Sequence, residues 1–216
     1  MVINNQSNTF SVLDGNGDGT FAKSRDFIAG NAPLAAVAGD FYGSGHVDLA
    51  IINHASQTVS LPGGNGDGTF KAARSYVSGQ QPTSIASGIL NGGKTQGLVV
   101  ANYCGSDLTC ASAGNVAVFL ADASGAYRLS STYMVGAGPV SVALADLNGD
   151  KNLDIVVANR LDKTVFIKGD QRAKYEIVLE VVQNLQAAGV DMVGLLTEQQ
   201  QEKGKSESQA AAPAGQ

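Results

Sequence analysis

Apolar residues in this chain occur in short runs rich in β-branched side chains, and glycine, asparagine, aspartate or proline bounds each run. Runs of this length with such boundaries predict strands joined by tight turns. Three continuously apolar runs predict inner strands covered on both faces, at Leu49–Ile52, Leu98–Ala101 and Ile155–Ala158. Further strands are predicted at Thr58–Leu61 and Asn115–Leu120. The pattern as a whole predicts a mainly β protein.

The strand pattern belongs to an internal repeat. A Gly-x-x-Pro motif leads into each unit, with the prolines at Pro33, Pro82 and Pro139, spaced 49 and 57 residues apart. Gly15–Phe21 recurs as Gly64–Phe70 with all seven residues identical, and Asp122–Tyr127 is a weaker third copy. Each unit offers roughly four short strands in about 50 residues, which is the size of one β-propeller blade.

These motifs, together with an Asp-rich loop and Leu-Asp-Ile-Val-Val-Ala-Asn, resemble the FG-GAP/VCBS repeat family over about residues 2–168. The resemblance implies an integrin-α-like β-propeller, usually seven-bladed, with Ca²⁺ in the Asp-rich loops of its better-preserved blades. Val2–Leu13 matches the last strands of a blade, and about three four-stranded blades follow. Because a closed propeller needs about four to eight blades, we expect an incomplete array occupying residues 1–162.

The Asp-rich loop of the third unit, residues 146–154, is the main candidate for a metal site. Oxygen-bearing side chains lie at loop positions 1, 3, 5 and 9, which are Asp146, Asn148, Asp150 and Asp154. Asn152 at position 7 would supply its backbone carbonyl. This spacing suits Ca²⁺. Position 12 is Val157 rather than Glu, and the flanks are β-like, so the loop would join two strands. The alternative is a polar turn without metal, although three carboxylates in one loop would repel one another without a cation.

The corresponding loops of the other units are poorer. The first keeps Asp40, Ser44 and Asp48, which form a poor cage for Ca²⁺. The second has Gly88 and Gly97 in place of the acids and is predicted to be empty. The Asn-Gly and Asp-Gly steps of the repeated seven-residue motif predict tight hairpin turns rather than a metal site.

A second module is predicted from about residue 163, because the five glutamates of the chain all lie at Glu176 or later. Thr164–Lys168 and Val190–Thr197 read as strands, and apolar residues at helical spacing predict a helix over 175–188. Strand, helix and strand in so short a segment predict a βαβ unit with parallel strands. Thr164–Ile167 would serve equally well as the last strand of the third blade.

Residues 163–198 resemble the C-terminal end of the ExbD/TolR family of biopolymer transport proteins. The resemblance implies a periplasmic unit and a membrane-complex partner, but the family's N-terminal membrane helix is missing here. No apolar stretch reaches the roughly 18 residues that a membrane span needs, so none is expected in this chain. Residues 199–216 are rich in Gln, Ala, Ser and Lys and are predicted to be a disordered tail.

Composition narrows the classes of partner. The net charge is −5 and basic residues do not cluster, so nucleic acid is not expected. The N-terminus shows no export signal. Cys104 and Cys110 lie in an insertion of the second unit, where they would form a local disulfide in an oxidising compartment or remain two free thiols.

No catalytic motif was found, so the chain is not expected to be an enzyme. The leading hypothesis is a non-enzymatic calcium-binding repeat module for extracellular or cell-surface binding or adhesion, with an unknown protein or carbohydrate ligand. One alternative is the periplasmic part of an ExbD/TolR-like transport component coupled to the proton-motive force. A second is the repeat region of a larger secreted enzyme.

Overall fold

A computed structural model describes residues 1–93, 95–105, 108–110, 113–159, 164–168 and 192–196. These residues contain strands and turns and no helix, which confirms the mainly β prediction. In chain order the strands are β1 (Val2–Asn4), β2 (Thr9–Val12), β3 (Arg25–Ile28), β4 (Pro33–Gly39), β5 (Asp48–Asn53), β6 (Thr58–Leu61), β7 (Arg74–Val77), β8 (Pro82–Gly88), β9 (Gly97–Asn102), β10 (Asn115–Ala121), β11 (Tyr127–Met134), β12 (Pro139–Ala145), β13 (Asp154–Asn159), β14 (Thr164–Lys168) and β15 (Met192–Leu196).

Consecutive strands pair side by side to form four sheets. Sheet I contains β1 to β3, sheet II β4 to β7, sheet III β8 to β11 and sheet IV β12 to β15. All neighbouring strands are antiparallel except β14 and β15, which are parallel. Within the described residues the sheets form an open array, as predicted, because no strand of sheet IV pairs with sheet I.

The first strands of sheets II, III and IV, which are β4, β8 and β12, share the same features. Each begins with the proline of the Gly-x-x-Pro motif, and its pairing with the next strand shifts directly after Pro33, Pro82 or Pro139. Proline has no amide hydrogen to donate to the strand ladder, so a strand start with a bulge suits it. The structure therefore confirms the three repeat units seen in the sequence.

Sheet I has the second, third and fourth strands of such a unit. Asn4 pairs with Thr9 in the register in which Asn53 pairs with Thr58. The turn residues Asn8 and Gln57 both have a φ of 58°. These matches identify β1 as the counterpart of β5, so sheet I has no counterpart of β4 among the described residues.

The hydrophobic core lies between successive sheets in three clusters. Sheets I and II bury Phe10, Leu49 and Ile51 between them, and the other two clusters fill the spaces between sheets II and III and between sheets III and IV. Every residue of β5 and β9 is buried, which confirms the predicted inner position of these strands.

The prediction of cover on both faces fails for β13. Ile155 and Val157 are buried against sheet III, whereas Val156 and Ala158 on the opposite face are only half-buried. Alternate residues of a strand point to opposite faces, so one face of β13 is packed less completely than those of β5 and β9.

At the C-terminal end, β14 fits both the predicted third repeat unit and the predicted βαβ unit. It is antiparallel to β13, as β6 is to β5, and it is also parallel to β15. The parallel pairing confirms that part of the βαβ prediction. The predicted helix at 175–188 and the tail at 199–216 lie outside the described residues, and the module boundaries stay predictions. The described residues include no helix that could span a membrane.

Candidate metal centre

The 146–154 loop connects β12 to β13, and its polar side chains fold back onto the loop backbone. Asp146 accepts hydrogen bonds from the backbone amides of Gly149 (2.7 Å) and Lys151 (2.9 Å). Asn148 accepts one from the amide of Asp150 at 2.8 Å, and Asp150 accepts one from the amide of Asn152 at 2.7 Å. Side chains at positions 1, 3 and 5 are thus held close to one tight turn.

Two left-handed residues shape this turn. Gly149 has a φ of 75° and Lys151 a φ of 71°. The first-unit loop has the same two conformations at the same positions, with Gly43 at 66° and Gly45 at 77°. Lys151 therefore has a left-handed conformation that glycine, at position 45, adopts in the first loop. Glycine reaches this conformation without steric cost.

Position 9 anchors the loop to the sheet. Asp154 is 3% exposed and accepts a hydrogen bond from the amide of Leu147 at 2.9 Å. The neighbouring Leu153 packs against sheet III, where a Cβ added to Gly88 would lie 2.5 Å from its Cδ1. The loop that carries the candidate ligands is therefore pinned both to its own strand and to the preceding sheet.

In the first-unit loop both carboxylates accept hydrogen bonds from backbone amides. Asp48 is 1% exposed and accepts amide hydrogen bonds from Phe41 (2.9 Å), Tyr42 (3.1 Å) and Gly64 (2.8 Å). Asp40 accepts from the amides of the next loop residues, those of positions 44 and 45, both at 2.8 Å. Ser44 Oγ accepts from the amide of position 46 at 3.3 Å. These bonds stabilise the loop.

The second-unit loop has no acid at position 1 or 9, but the predicted place of Gly88 at position 1 is wrong. Gly88 pairs with Gly97 as Gly39 pairs with Asp48, so the residue at the position of Asp40 is Ile89. A Cβ at Gly97 would lie 2.7 Å from Leu90 Cδ1 and 2.9 Å from Leu120 Cδ2. This packing offers no oxygen ligands at position 9.

The repeated seven-residue motif forms tight turns, as predicted. Gly15 bridges Phe21 and Gly64 bridges Phe70. Hydrogen bonds from the Thr20 hydroxyl and amide lower the pKa of Asp18, and Thr69 has the same effect on the pKa of Asp67. These aspartates accept their neighbours' hydrogen bonds and stabilise turns.

The predicted disulfide is confirmed. Cys104 and Cys110 are bonded, with their Cα atoms 4.5 Å apart, in the connection between β9 and β10. Cys104 is fully buried. The bond closes a short loop beside the Gly-x-x-Pro motif of the same unit, since Gln81 Nε2 lies 3.4 Å from the Cys110 sulfur.

A set of contacts between sheets was missed by sequence reasoning. Phe70 packs edge-on against Phe10 and Phe27 of sheet I, and its counterpart Tyr127 packs edge-on against Phe41 and Tyr76 of sheet II. The first and second units thus each place one aromatic ring on the preceding sheet. The identity of Gly15–Phe21 and Gly64–Phe70 is the available signal, but the turn geometry of this motif does not by itself predict what its aromatic residue contacts.

The fit of the third loop to a cation rests on its donor set. Among the described residues, no three His, Cys, Asp or Glu side chains converge closely enough to hold a metal ion as they stand. The third loop nevertheless has carboxylates at positions 1 and 5 and an amide oxygen, Asn148 Oδ1, at position 3, all folded over one turn. Carboxylate and amide oxygens are the ligands that Ca²⁺ takes, so the residues of this loop fit that ion better than those of the other two.

Part of the chain matches a known protein family. Residues 105–157 match the FG-GAP-like repeat family, a segment that includes β10, β11, β12 and the 146–154 loop. No curated protein matches the chain. The segment 105–157 is therefore similar to an FG-GAP-like repeat, as the sequence motifs indicated.

Proposed function

We propose that this chain is a non-enzymatic binding module in which Ca²⁺ occupies the 146–154 loop and has a structural role. The observation that supports it best is the folding of Asp146, Asn148 and Asp150 over one turn between β12 and β13. The ion would take side-chain oxygens from these residues and from Asp154, with the backbone carbonyl of Asn152. Its charge would offset the repulsion among the three carboxylates.

The first loop explains why the proposal is confined to the third. Asp40 and Asp48 together accept five backbone amide hydrogen bonds. Asp146 of the third loop accepts two such bonds as well, so the difference between the loops lies at position 5, where the third loop has the carboxylate of Asp150 and the first has the hydroxyl of Ser44. The first loop therefore offers one carboxylate fewer to a cation, and we propose that Asp40, Ser44 and Asp48 support their turn without metal.

The ligand is expected to bind at the loops of the array rather than in a catalytic pocket. Loops carried by rigid strands commonly hold binding residues, and the FG-GAP-like match supports a repeat module used in binding or adhesion. A protein or a carbohydrate is the proposed ligand class. The disulfide supports an extracellular, cell-surface or periplasmic location, because disulfides persist in oxidising compartments.

Thermal unfolding with Ca²⁺ and with a chelator tests the metal site. A ligand that binds only the folded state stabilises it, by about 2.7 kcal/mol at a hundredfold excess over its Kd. We expect Ca²⁺ to raise the Tm of the wild-type chain and Asp150→Ala to abolish the rise. Ser44→Ala, at the same position of the first loop, is the matched control and should keep it.

Two results would contradict the proposal. One is a Tm that is the same with Ca²⁺ and with chelator. The other is a Ca²⁺-dependent rise that survives in Asp150→Ala, since the ion would then bind elsewhere. Mg²⁺ at the same concentration separates a calcium site from a general salt effect, because Mg²⁺ demands a smaller octahedral site.

A further inference from the structure

A cleft with a volume of about 380 Å³ lies between sheets I and II, where β2 and β3 face β6 and β7. Phe10 and Phe27 of sheet I line one side of it, and Ser60 and Ser75 of sheet II line the other. Small-molecule sites typically have volumes of this size and combine an apolar lining with a few polar groups. The cleft therefore has the dimensions and the composition of a site for a small molecule.

The apolar side of the cleft is held in place by ring packing. Phe10 and Phe27 stack with their ring centroids 5.2 Å apart, and Phe70 packs edge-on against them at 5.4 and 5.3 Å. Phe10 is fully buried, whereas Phe27 and Phe70 are half-buried and line the cleft. Aromatic rings attract other planar rings, either stacked or edge-on, so this side suits a flat apolar body.

The opposite side presents a hydroxyl hydrogen to the cleft. Asn53 Nδ2 donates a hydrogen bond to Ser60 Oγ at 2.8 Å, and Ser60 Oγ lies 3.2 Å from Ser75 Oγ. Ser60 is 2% exposed, and Ser75 Oγ is the acceptor within its reach among the described residues. Because a buried hydroxyl needs an acceptor for its hydrogen, Ser60 donates to Ser75. The hydrogen of Ser75 is then left for an acceptor in the cleft.

Sheet I contains the same series of hydrogen bonds and ends it on a carboxylate. Asn4 Nδ2 donates to Ser11 Oγ at 2.7 Å, and Ser11 donates to Asp26 Oδ1 at 2.6 Å. Ser11 pairs with Asp26 in the register in which Ser60 pairs with Ser75. Sheet II therefore has a hydroxyl donor at the position where sheet I has its terminal carboxylate acceptor.

The charge of the cleft favours an anion. Lys71 is the one charged residue among those that line it, and its ammonium group forms no ion pair within the described residues. A carboxylate oxygen would accept both from this ammonium group and from the Ser75 hydroxyl, and hydrogen bonds of this charged kind are stronger than those between neutral groups.

We propose that this cleft binds a small carboxylate that carries a planar apolar body. The planar body would pack on Phe27 and Phe70, and the carboxylate would accept hydrogen bonds from Ser75 and Lys71. The cleft lies between sheets I and II, whereas the 146–154 loop belongs to sheet IV. Binding in the cleft therefore does not require Ca²⁺ in that loop.

The probe for the test is 4-fluorobenzoate, which joins one aromatic ring to a carboxylate, and its uncharged counterpart is 4-fluorobenzamide. Fluorine NMR of each probe, titrated with the full chain in chelator, measures binding through the shift and width of its resonance. We expect saturable binding of 4-fluorobenzoate with a Kd on the order of 1 mM. Binding of 4-fluorobenzamide should be weaker by at least about threefold, because it lacks the charge that pairs with the lysine.

Variants at two exposed positions locate the probe. Lys71→Gln should weaken binding of 4-fluorobenzoate by about threefold and leave that of 4-fluorobenzamide unchanged. Lys23→Gln, at an exposed lysine outside the lining, is the matched control and should change neither. Ser75→Leu places a larger apolar side chain in the cleft and should abolish binding of both probes. Val77→Leu, on the same face of β7 but outside the lining, should leave binding intact.

Three results would overturn the proposal. The first is an absence of saturable 4-fluorobenzoate binding, and the second is binding that survives Ser75→Leu, since the probe would then occupy another place. The third is equal affinity for the two probes, or equal effects of Lys71→Gln and Lys23→Gln, which would exclude recognition of the carboxylate. All titrations contain chelator, so failure here is distinct from failure of the calcium proposal.

Discussion

The hydroxyl of Tyr127 lies 3.2 Å from the carbonyl oxygen of Phe41, a residue of the preceding sheet. It also lies 2.5 Å from the carbonyl oxygen of Gln96 in its own sheet, so its single hydrogen is donated to one of two buried acceptors. The ring is 2% exposed and packs edge-on against Phe41. One side chain therefore joins sheets II and III through both packing and hydrogen bonding.

Tyr127→Phe should lower the free energy of unfolding by about 1–2 kcal/mol, because it leaves a buried carbonyl without its donor while the ring packing remains. Urea unfolding followed by circular dichroism measures the change. Tyr76→Phe is the matched control, since the Tyr76 ring contacts Tyr127 without a hydroxyl contact of this kind. An equal loss in both variants would show that the Tyr127 hydroxyl has no special role.

Stability should also fall at alkaline pH. Burial raises the pKa of Tyr127 above its ordinary value of 10.0, with smaller contributions from Tyr42 and Asp48. The unfolded chain therefore loses this proton at a lower pH than the folded chain, and stability declines as the pH rises above 10. Unfolding of wild type and Tyr127→Phe between pH 8 and about 11 tests this; a decline of equal slope in both would contradict it.

The sequence predicted local features better than contacts between units. Short β-branched runs and Gly-x-x-Pro motifs define strands through local sterics, so β5, β9 and the hairpins of the seven-residue motif were found. The ring of Tyr127 meets Phe41 only after two sheets pack, so the alignment of Tyr127 with Phe70 did not show which ring it would contact.

In the candidate metal site, too, local features were predictable from the sequence and long-range contacts were not. The spacing of Asp146, Asn148 and Asp150 predicted one polar turn, and the structure folds these side chains over one. The structural role of Asp48 as a buried acceptor was not predictable. Its third donor is the amide of Gly64, and a strand and a turn separate the two residues along the chain. The sequence alone does not distinguish a carboxylate that only accepts backbone hydrogen bonds from one that could also bind a metal ion.

Asp48→Asn should destabilise the chain by about 2–4 kcal/mol. An amide in place of the carboxylate turns one acceptor into a donor, which then faces the buried amide of Gly64 or of Phe41 and leaves it unsatisfied. Asp40→Asn in the same loop is the control, with an expected loss of about 1 kcal/mol because its hydrogen bonds are exposed. Both losses should be the same in Ca²⁺ and in chelator. A loss for Asp48→Asn that appears only with Ca²⁺ would show that the first loop binds the ion.

Lys151→Gly should stabilise the chain. The residue has a φ of 71°, and its counterpart Gly45 has a φ of 77°. A left-handed conformation costs a non-glycine residue roughly 1–2 kcal/mol, and the greater freedom of glycine in the unfolded chain offsets part of that gain. We expect a net rise of about 1 kcal/mol in the free energy of unfolding, measured in chelator so that metal binding does not contribute.

Two further variants separate backbone strain from charge at this position. Lys151→Ala removes the charge near Asp146 and Asp150 but keeps the strained conformation, so it should not reproduce the gain. Gly45→Lys in the first loop should cost about what Lys151→Gly gains, because it introduces the same strain into an equivalent turn. If Lys151→Ala stabilised the chain as much as Lys151→Gly, the charge of Lys151 rather than its backbone conformation would be the unfavourable feature of the loop.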